Sequence, residues 1–119
     1  MKDLNALPEH LRTAAVPDGP DFGWPLEMAA EVIQALADAG AVMLGVEAWI
    51  VDEAGVPASV GWSSYDIGDY QDDWEGAVAR SKEEAEGVLI GVVETAPEDG
   101  VNYVGIDWAF PGDMEADEE

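Results

Sequence analysis

The amino-acid sequence predicts an α+β domain in which a mostly antiparallel sheet of about three to four strands packs against two to three helices. The longest apolar run, 40–52, is rich in Val, Ile and Trp and lies between Gly40 and the breakers Glu53-Ala54-Gly55. This pattern is typical of a central strand that is covered on its faces. Two segments with apolar residues at helical spacing, 26–37 and 74–92, supply the covering helices.

Length and composition describe one domain. A chain of 119 residues, 48% of them hydrophobic, is large enough to bury a core. We expect this domain to span 1–112, followed by an acidic tail, 113–119, that is predicted to be disordered. The N-terminus lacks the apolar core of a secretory signal, and no apolar run approaches the ~18 residues of a membrane span. We therefore expect a cytoplasmic protein with no membrane partner.

The charge is extreme, with 27 acidic residues against 4 basic ones and a formal net charge of −23. Such a surface repels nucleic-acid phosphates, so no nucleic-acid partner is expected. The excess of acidic residues then has three possible interpretations: a cationic protein partner, adaptation to a salt-rich cytoplasm, or high solubility without a partner.

The N-terminal third is predicted to hold two helices. Pro8 stands at the first turn of a short helix whose apolar face includes Leu11. The segment 16–21 is predicted to be a loop because prolines and a glycine interrupt it. A second helix begins at Pro25 and ends at Gly40, and Trp24 packs its entry turn on the core.

After the apolar run, the turn 52–55 leads to a strand over 56–62. Pro57 places this strand at a sheet edge, because proline has no N–H for a second neighbour. A polar and acidic loop follows over 63–73.

The third helix is predicted to begin at Asp72, as N-cap with Glu75 three residues later, and to run to about Gly91. Residues 88–93 also fit a strand, and 95–100 is predicted to be a turn. A last strand, 101–110, has Val104, Ile106, Trp108 and Phe110 on one face.

Motifs for catalysis and metal binding are not found in the sequence. It has no cysteine, and its one histidine, His10, lies outside any recognisable motif. The carboxylates of 66–75 lack the spacing of a calcium loop, so a solvated interaction loop is predicted there. We expect no catalytic residues, no metal and no cofactor. An alternative is a carboxylate-based enzyme in which Glu47 and Asp107 face each other across adjacent strands.

Two features point to a protein-binding surface. Glu47 interrupts the apolar run, so its carboxylate either faces water or is held by donors such as Arg80 or Lys82. The loop 63–73 mixes aromatic and acidic residues, a composition typical of protein interfaces. We expect its tyrosines to anchor a partner and its aspartates to form an electrostatic rim. These are Tyr65, Tyr70, Asp66, Asp69, Asp72 and Asp73.

Three short segments resemble a bacterial immunity-protein family found beside polymorphic toxins, immunity protein family forty. They are Leu44-Gly45-Val46-Glu47-Ala48-Trp49, the Gly23-Trp24 helix entry, and Trp74-Glu75-Gly76-Ala77-Val78-Ala79-Arg80-Ser81. The resemblance implies an intracellular antidote that binds and occludes a cognate toxin without catalysis. It makes the motif positions Glu47, Trp49 and Trp74 candidates for partner binding, with a structural role as the alternative.

The sequence thus predicts an immunity protein that neutralises a basic toxin domain. The alternatives are an acidic, salt-adapted domain and the carboxylate-based enzyme.

Overall fold

A computed structural model describes residues 7–18, 21–64 and 73–110 of the chain. These ranges contain three helices and five strands. In chain order they are α1 Glu9–Ala14, β1 Val16–Asp18, β2 Asp21–Pro25, α2 Leu26–Asp38, β3 Val42–Val51, β4 Pro57–Ser64, α3 Trp74–Asp99 and β5 Tyr103–Ala109. The predicted α+β class is confirmed, with one strand more than expected. The predicted tail, 113–119, lies outside the described residues.

All neighbouring strands of the sheet are antiparallel, in the order β1-β2-β5-β3-β4. The last strand of the chain, β5, lies between β2 and β3 and joins two hairpins into one sheet. As predicted from Pro57, β4 is an edge strand.

The expected loop over 16–21 is wrong, because most of this segment belongs to a hairpin. Val16 pairs with Gly23, and Pro17 pairs with Phe22. Proline is tolerated in β1 because this strand lies at the other edge of the sheet and needs hydrogen bonds on one side only.

The main core lies between α2, the middle of α3 and one face of the sheet. Helix α2 contributes a buried stripe at helical spacing, Ala29, Val32, Ile33 and Leu36. The sheet contributes Val46 from β3 together with Val104 and Ile106 from β5. Phe110 packs against the same cluster, in agreement with the predicted face of the last strand.

Helix α3 is longer than predicted and starts one residue later. Its N-cap is Asp73, whose carboxylate accepts a hydrogen bond from the backbone N–H of Gly76 at 3.0 Å, and not Asp72. The helix continues through 88–93 and Pro97 to Asp99, because Leu89 and Ala96 extend its buried stripe. Gly100, at φ 80°, ends it in the left-handed conformation that glycine adopts readily.

None of the helices in the described ranges combines the length and the apolarity that crossing a bilayer requires.

The side chain of Asn102 lengthens the pairing between β3 and the start of β5. Its amide oxygen accepts from the N–H of Val51 at 2.8 Å, and its amide nitrogen donates to the carbonyl of Val51 at 2.9 Å. The backbone of Asn102 donates to Trp49 and accepts from the first amide of α2, at Leu26. One residue therefore fixes β3, β5 and α2 relative to one another.

Ser81 of α3 is a buried polar residue that accepts a hydrogen bond from the backbone of β3. The β3–β5 register shifts between Met43 and Gly45, and among the described residues β4 pairs with β3 only from Gly45 onward. The N–H of Met43 instead donates to the Ser81 hydroxyl at 3.0 Å, and this hydroxyl donates to the carbonyl of Val78 at 3.0 Å. The serine hydroxyl thus serves as the hydrogen-bond acceptor for this strand N–H.

Replacing Ser81 by Ala is expected to lower the free energy of unfolding by about 1–3 kcal/mol, because it leaves the buried Met43 N–H without its acceptor. Urea denaturation measures the change. The matched control is Thr95→Ala, since the exposed Thr95 hydroxyl bonds only carbonyls of its own helix. Equal losses in the two variants would contradict the role assigned to Ser81.

Candidate partner-binding face

The strand register places Glu47 and Trp49 on the sheet face opposite the main core. Trp49 lies opposite Tyr103, Glu47 opposite Gly105, and Gly45 opposite Asp107, whereas the core residues of these strands alternate with them. We call this surface the Trp49 face. It comprises Gly23, Gly45, Glu47, Trp49, Tyr103, Gly105 and Asp107.

The indole of Trp49 lies flat across two neighbouring strands. A Cβ added to Gly105 would lie 2.6 Å from Cε2 and 2.7 Å from Nε1 of the indole. A Cβ added to Gly23, one strand further, would lie 2.5 Å from Cζ3. Only glycine leaves room for the ring at these two positions, and the ring is 0% exposed.

The buried ring fixes the carboxylate of Glu47. The Trp49 indole N–H donates to Glu47 Oε1 at 2.6 Å, a short bond of the kind that a charged acceptor makes. The donors named from the sequence were Arg80, Lys82 or a backbone amine, whereas the donor of this bond is Trp49, two positions along the same strand. Glu47 itself is half-buried and keeps part of its surface accessible.

A second carboxylate, Asp107, lies on the same face and is also half-buried. It stands diagonally to Glu47 on the neighbouring strand, a relation that separates Cα atoms by roughly 7–8 Å. The five strands contain Asp18, Asp21, Glu47 and Asp107 but no Lys or Arg. The sheet therefore contributes only negative formal charge.

The start of α3 covers one end of the Trp49 face. Trp74 packs with Ala77 against Val42, and its indole N–H donates to the Gly40 carbonyl at 2.6 Å. Val42 pairs with Ala109, which is on the same side of β5 as Asp107. The predicted residues Asp73 and Trp74 are thereby brought to the same face as Glu47 and Trp49.

The other predicted contacts lie outside the described residues. They are Tyr65, Asp66, Asp69, Tyr70 and Asp72. The described residues on either side of that segment reach the same end of β3: Ser64 pairs with Gly45, and Asp73 precedes Trp74, which packs on Val42.

Of the two roles expected for Trp49, partner binding or structure, the geometry favours the structural one: the ring is 0% exposed and its indole N–H holds the Glu47 carboxylate. Trp74 is half-buried and holds α3 on the sheet, whereas Asp73 is exposed.

Tyr103 and Asp107 are additional residues of the Trp49 face that were not assigned to partner binding from the sequence. The alternation of side chains along β5 could have identified them, because Val104 and Ile106 face the core and Tyr103 and Asp107 therefore face the other side.

The charged groups that β3 and β5 place on the Trp49 face are the carboxylates of Glu47 and Asp107. In the ranges 7–18, 21–64 and 73–110, no group of three or more His, Asp or Glu residues is arranged to hold a metal ion. The one histidine, His10, pairs with Glu31 of α2 on the helical side of the molecule. Carboxylates are groups that suit the cations of a partner.

Comparisons of the chain with protein-family models, with curated proteins and with solved structures found no match. The fold and the face define a small α+β domain with an acidic sheet surface, and the resemblance to immunity proteins stays a prediction.

Proposed function

We propose that this protein is a cytoplasmic immunity protein that binds a cognate basic toxin domain and occludes it. The observation that supports the proposal most directly is the Trp49 face, where a buried indole orients the Glu47 carboxylate beside Asp107 on a sheet without basic residues. Cationic groups of a partner would pair with these two carboxylates.

The net charge of −23 supports the same partner chemistry. A surface with this charge builds a potential of several kT and steers basic proteins toward it, with association rates up to ~10⁸–10⁹ M⁻¹s⁻¹ at low salt. A toxin that attacks nucleic acids carries a basic cleft, and an acidic face that fills the cleft would block its substrate.

The rigidity of the face supports tight binding. Glu47 is held by a ring that Gly23 and Gly105 enclose, so little side-chain freedom is lost when a partner binds. The segment 65–72, predicted to supply Tyr65 and Tyr70 as anchors, lies outside the described residues.

The test is capture of basic effector domains encoded beside this gene, followed by kinetics across a salt series. The variant Glu47→Gln with Asp107→Asn removes both charges, and the glutamine keeps an oxygen for the Trp49 indole. We expect this pair to weaken binding by about 100-fold or more, because desolvated charge pairs dominate such contacts.

The control removes the same number of charges from the exposed surface of α3 through Glu83→Gln with Glu84→Gln. A change of less than about threefold is expected, since exposed charges contribute little individually. The proposal would be wrong if none of the basic effector domains encoded beside this gene binds the protein. Equal weakening by the two pairs would show that the Trp49 face is not the contact.

Two rival functions give different results. A salt-adapted domain needs molar salt to stay folded, so thermal melting across a salt series separates it from a binding protein that folds at ordinary salt. A carboxylate-based enzyme would lose activity in Glu47→Ala or Asp107→Ala on a substrate panel.

A further inference from the structure

A groove of about 410 Å³ lies on the other side of the sheet, between β4 and the C-terminal half of α3. Ala48, Val60, Val92 and Val101 supply the apolar side chains of its walls. Thr95 and Asp99 of α3 supply its polar groups. None of these residues belongs to the Trp49 face.

The groove borders an unpaired strand edge. Strand β4 is last in the sheet order and pairs only with β3, so one side of its backbone has no strand partner within the described ranges. Such an edge can accept an extended segment of another chain. The β3–β4 register shifts at this point, since Ala48 pairs with Gly61 and Trp49 pairs with Ser59. Val60 is the extra residue; it is 53% exposed and lines the groove.

The charge around the groove selects a cationic occupant. From Gly87 to Gly100 the chain carries Glu94, Glu98 and Asp99 and no basic residue. The C-terminal end of a helix adds a partial negative charge, and α3 ends beside the groove at Asp99. A second copy of this chain would bring another 23 negative charges, so self-association at this edge is disfavoured.

We propose that the β4 edge and this groove bind an extended, basic segment of the partner protein. The segment pairs with the backbone of β4 and places the stem of a Lys or Arg side chain between Val60 and Val92, with its cation at Asp99. This inference rests on the proposed function in one respect, that the partner is the same basic protein. It adds a second contact, which is separate from the Trp49 face.

The probe is a short synthetic peptide in which Lys and Val alternate, titrated into the ¹⁵N-labelled protein and followed by amide shifts and calorimetry. A peptide of alternating Glu and Val is the charge control. We expect the basic peptide to shift the amides of Val60, Gly61, Thr95 and Asp99, and the acidic peptide to shift none of them.

The variant Asp99→Asn is expected to weaken binding of the basic peptide by about tenfold, since it removes the charged acceptor. Val60→Ser, an exposed change that spares the core, is expected to weaken it as well. Glu98→Gln is the matched control because it removes the same charge one residue away without lining the groove. Equal weakening by Asp99→Asn and Glu98→Gln would overturn the proposal, as would shifts centred on Glu47 and Asp107.

The two proposals fail separately. If a basic effector domain is captured and its affinity responds to Glu47→Gln with Asp107→Asn but not to Asp99→Asn, the groove proposal is wrong and the proposed function stands. If the basic peptide binds in the groove but no effector domain is captured, the groove proposal stands and the proposed function is wrong.

Discussion

Replacing Gly105 by Ala is expected to lower the free energy of unfolding by about 3 kcal/mol or more, because overpacking beside a fixed ring forces backbone shifts. The added methyl carbon would lie 2.6–2.7 Å from three atoms of the Trp49 indole, well inside van der Waals contact. The ring cannot move aside, since it also covers Gly23 and donates to Glu47. Urea denaturation measures the loss.

A glycine-to-alanine change at Gly91 is the matched control. A Cβ at this helical position meets nothing within 4 Å. Gly91→Ala is therefore expected to raise stability by about 0.5–1 kcal/mol, because alanine restricts the unfolded chain more and favours the helix. Replacing glycine by alanine is thus expected to lower the free energy of unfolding at Gly105 and to raise it at Gly91.

A double-mutant cycle identifies the cause. In a Trp49→Leu background the ring is absent, so Gly105→Ala should cost much less than in the natural sequence. Full additivity of the two changes would contradict the close packing of Trp49 on Gly105.

Replacing Trp24 by Ala is the second large effect, with an expected loss of about 3–5 kcal/mol for a fully buried aromatic side chain. Trp24 is 0% exposed, and its ring packs on Trp108 with centroids 6.0 Å apart. Its indole N–H donates to the buried carbonyl of Leu11 at 2.8 Å, which ties α1 to the sheet. Urea denaturation measures the total, and hydrogen exchange at Leu11 reports on α1.

The pair Trp24→Phe and Trp74→Phe separates the hydrogen bond from the packing. Each variant removes an indole N–H that donates to a backbone carbonyl, but the Trp24 bond is buried and the Trp74 bond is part-buried. We expect Trp24→Phe to cost more, and less than Trp24→Ala. Stability of Trp24→Ala within 1 kcal/mol of the natural protein would refute the central packing of Trp24.

Local patterns predicted most of the elements of this fold. The Val-, Ile- and Trp-rich run became β3, the helical stripe over 26–37 became α2, and Pro57 marked the edge strand. These signals succeed because burial of one face imposes a period on the sequence. The loop predicted over 16–21 was wrong because prolines also fit a hairpin at a sheet edge, where one side of a strand needs no hydrogen bonds.

The candidate site was predicted only in part, because local sequence patterns do not show which distant residues pack together. Glu47 was recognisable as a charge within an apolar run, but the sequence left Trp49 between a partner contact and a structural role and did not identify it as the donor to Glu47. That the ring is buried depends on Gly23 and Gly105, which come from strands far apart in the chain.

The sequence by itself determined the fold class, the negative charge and the periodicity of each main element, because each depends on residues close together in the chain. Only the tertiary structure decided that β5 lies between β2 and β3, and so which face holds Glu47 and which glycines receive Trp49. Strand order and register arise from the joint packing of distant segments, which no local pattern encodes.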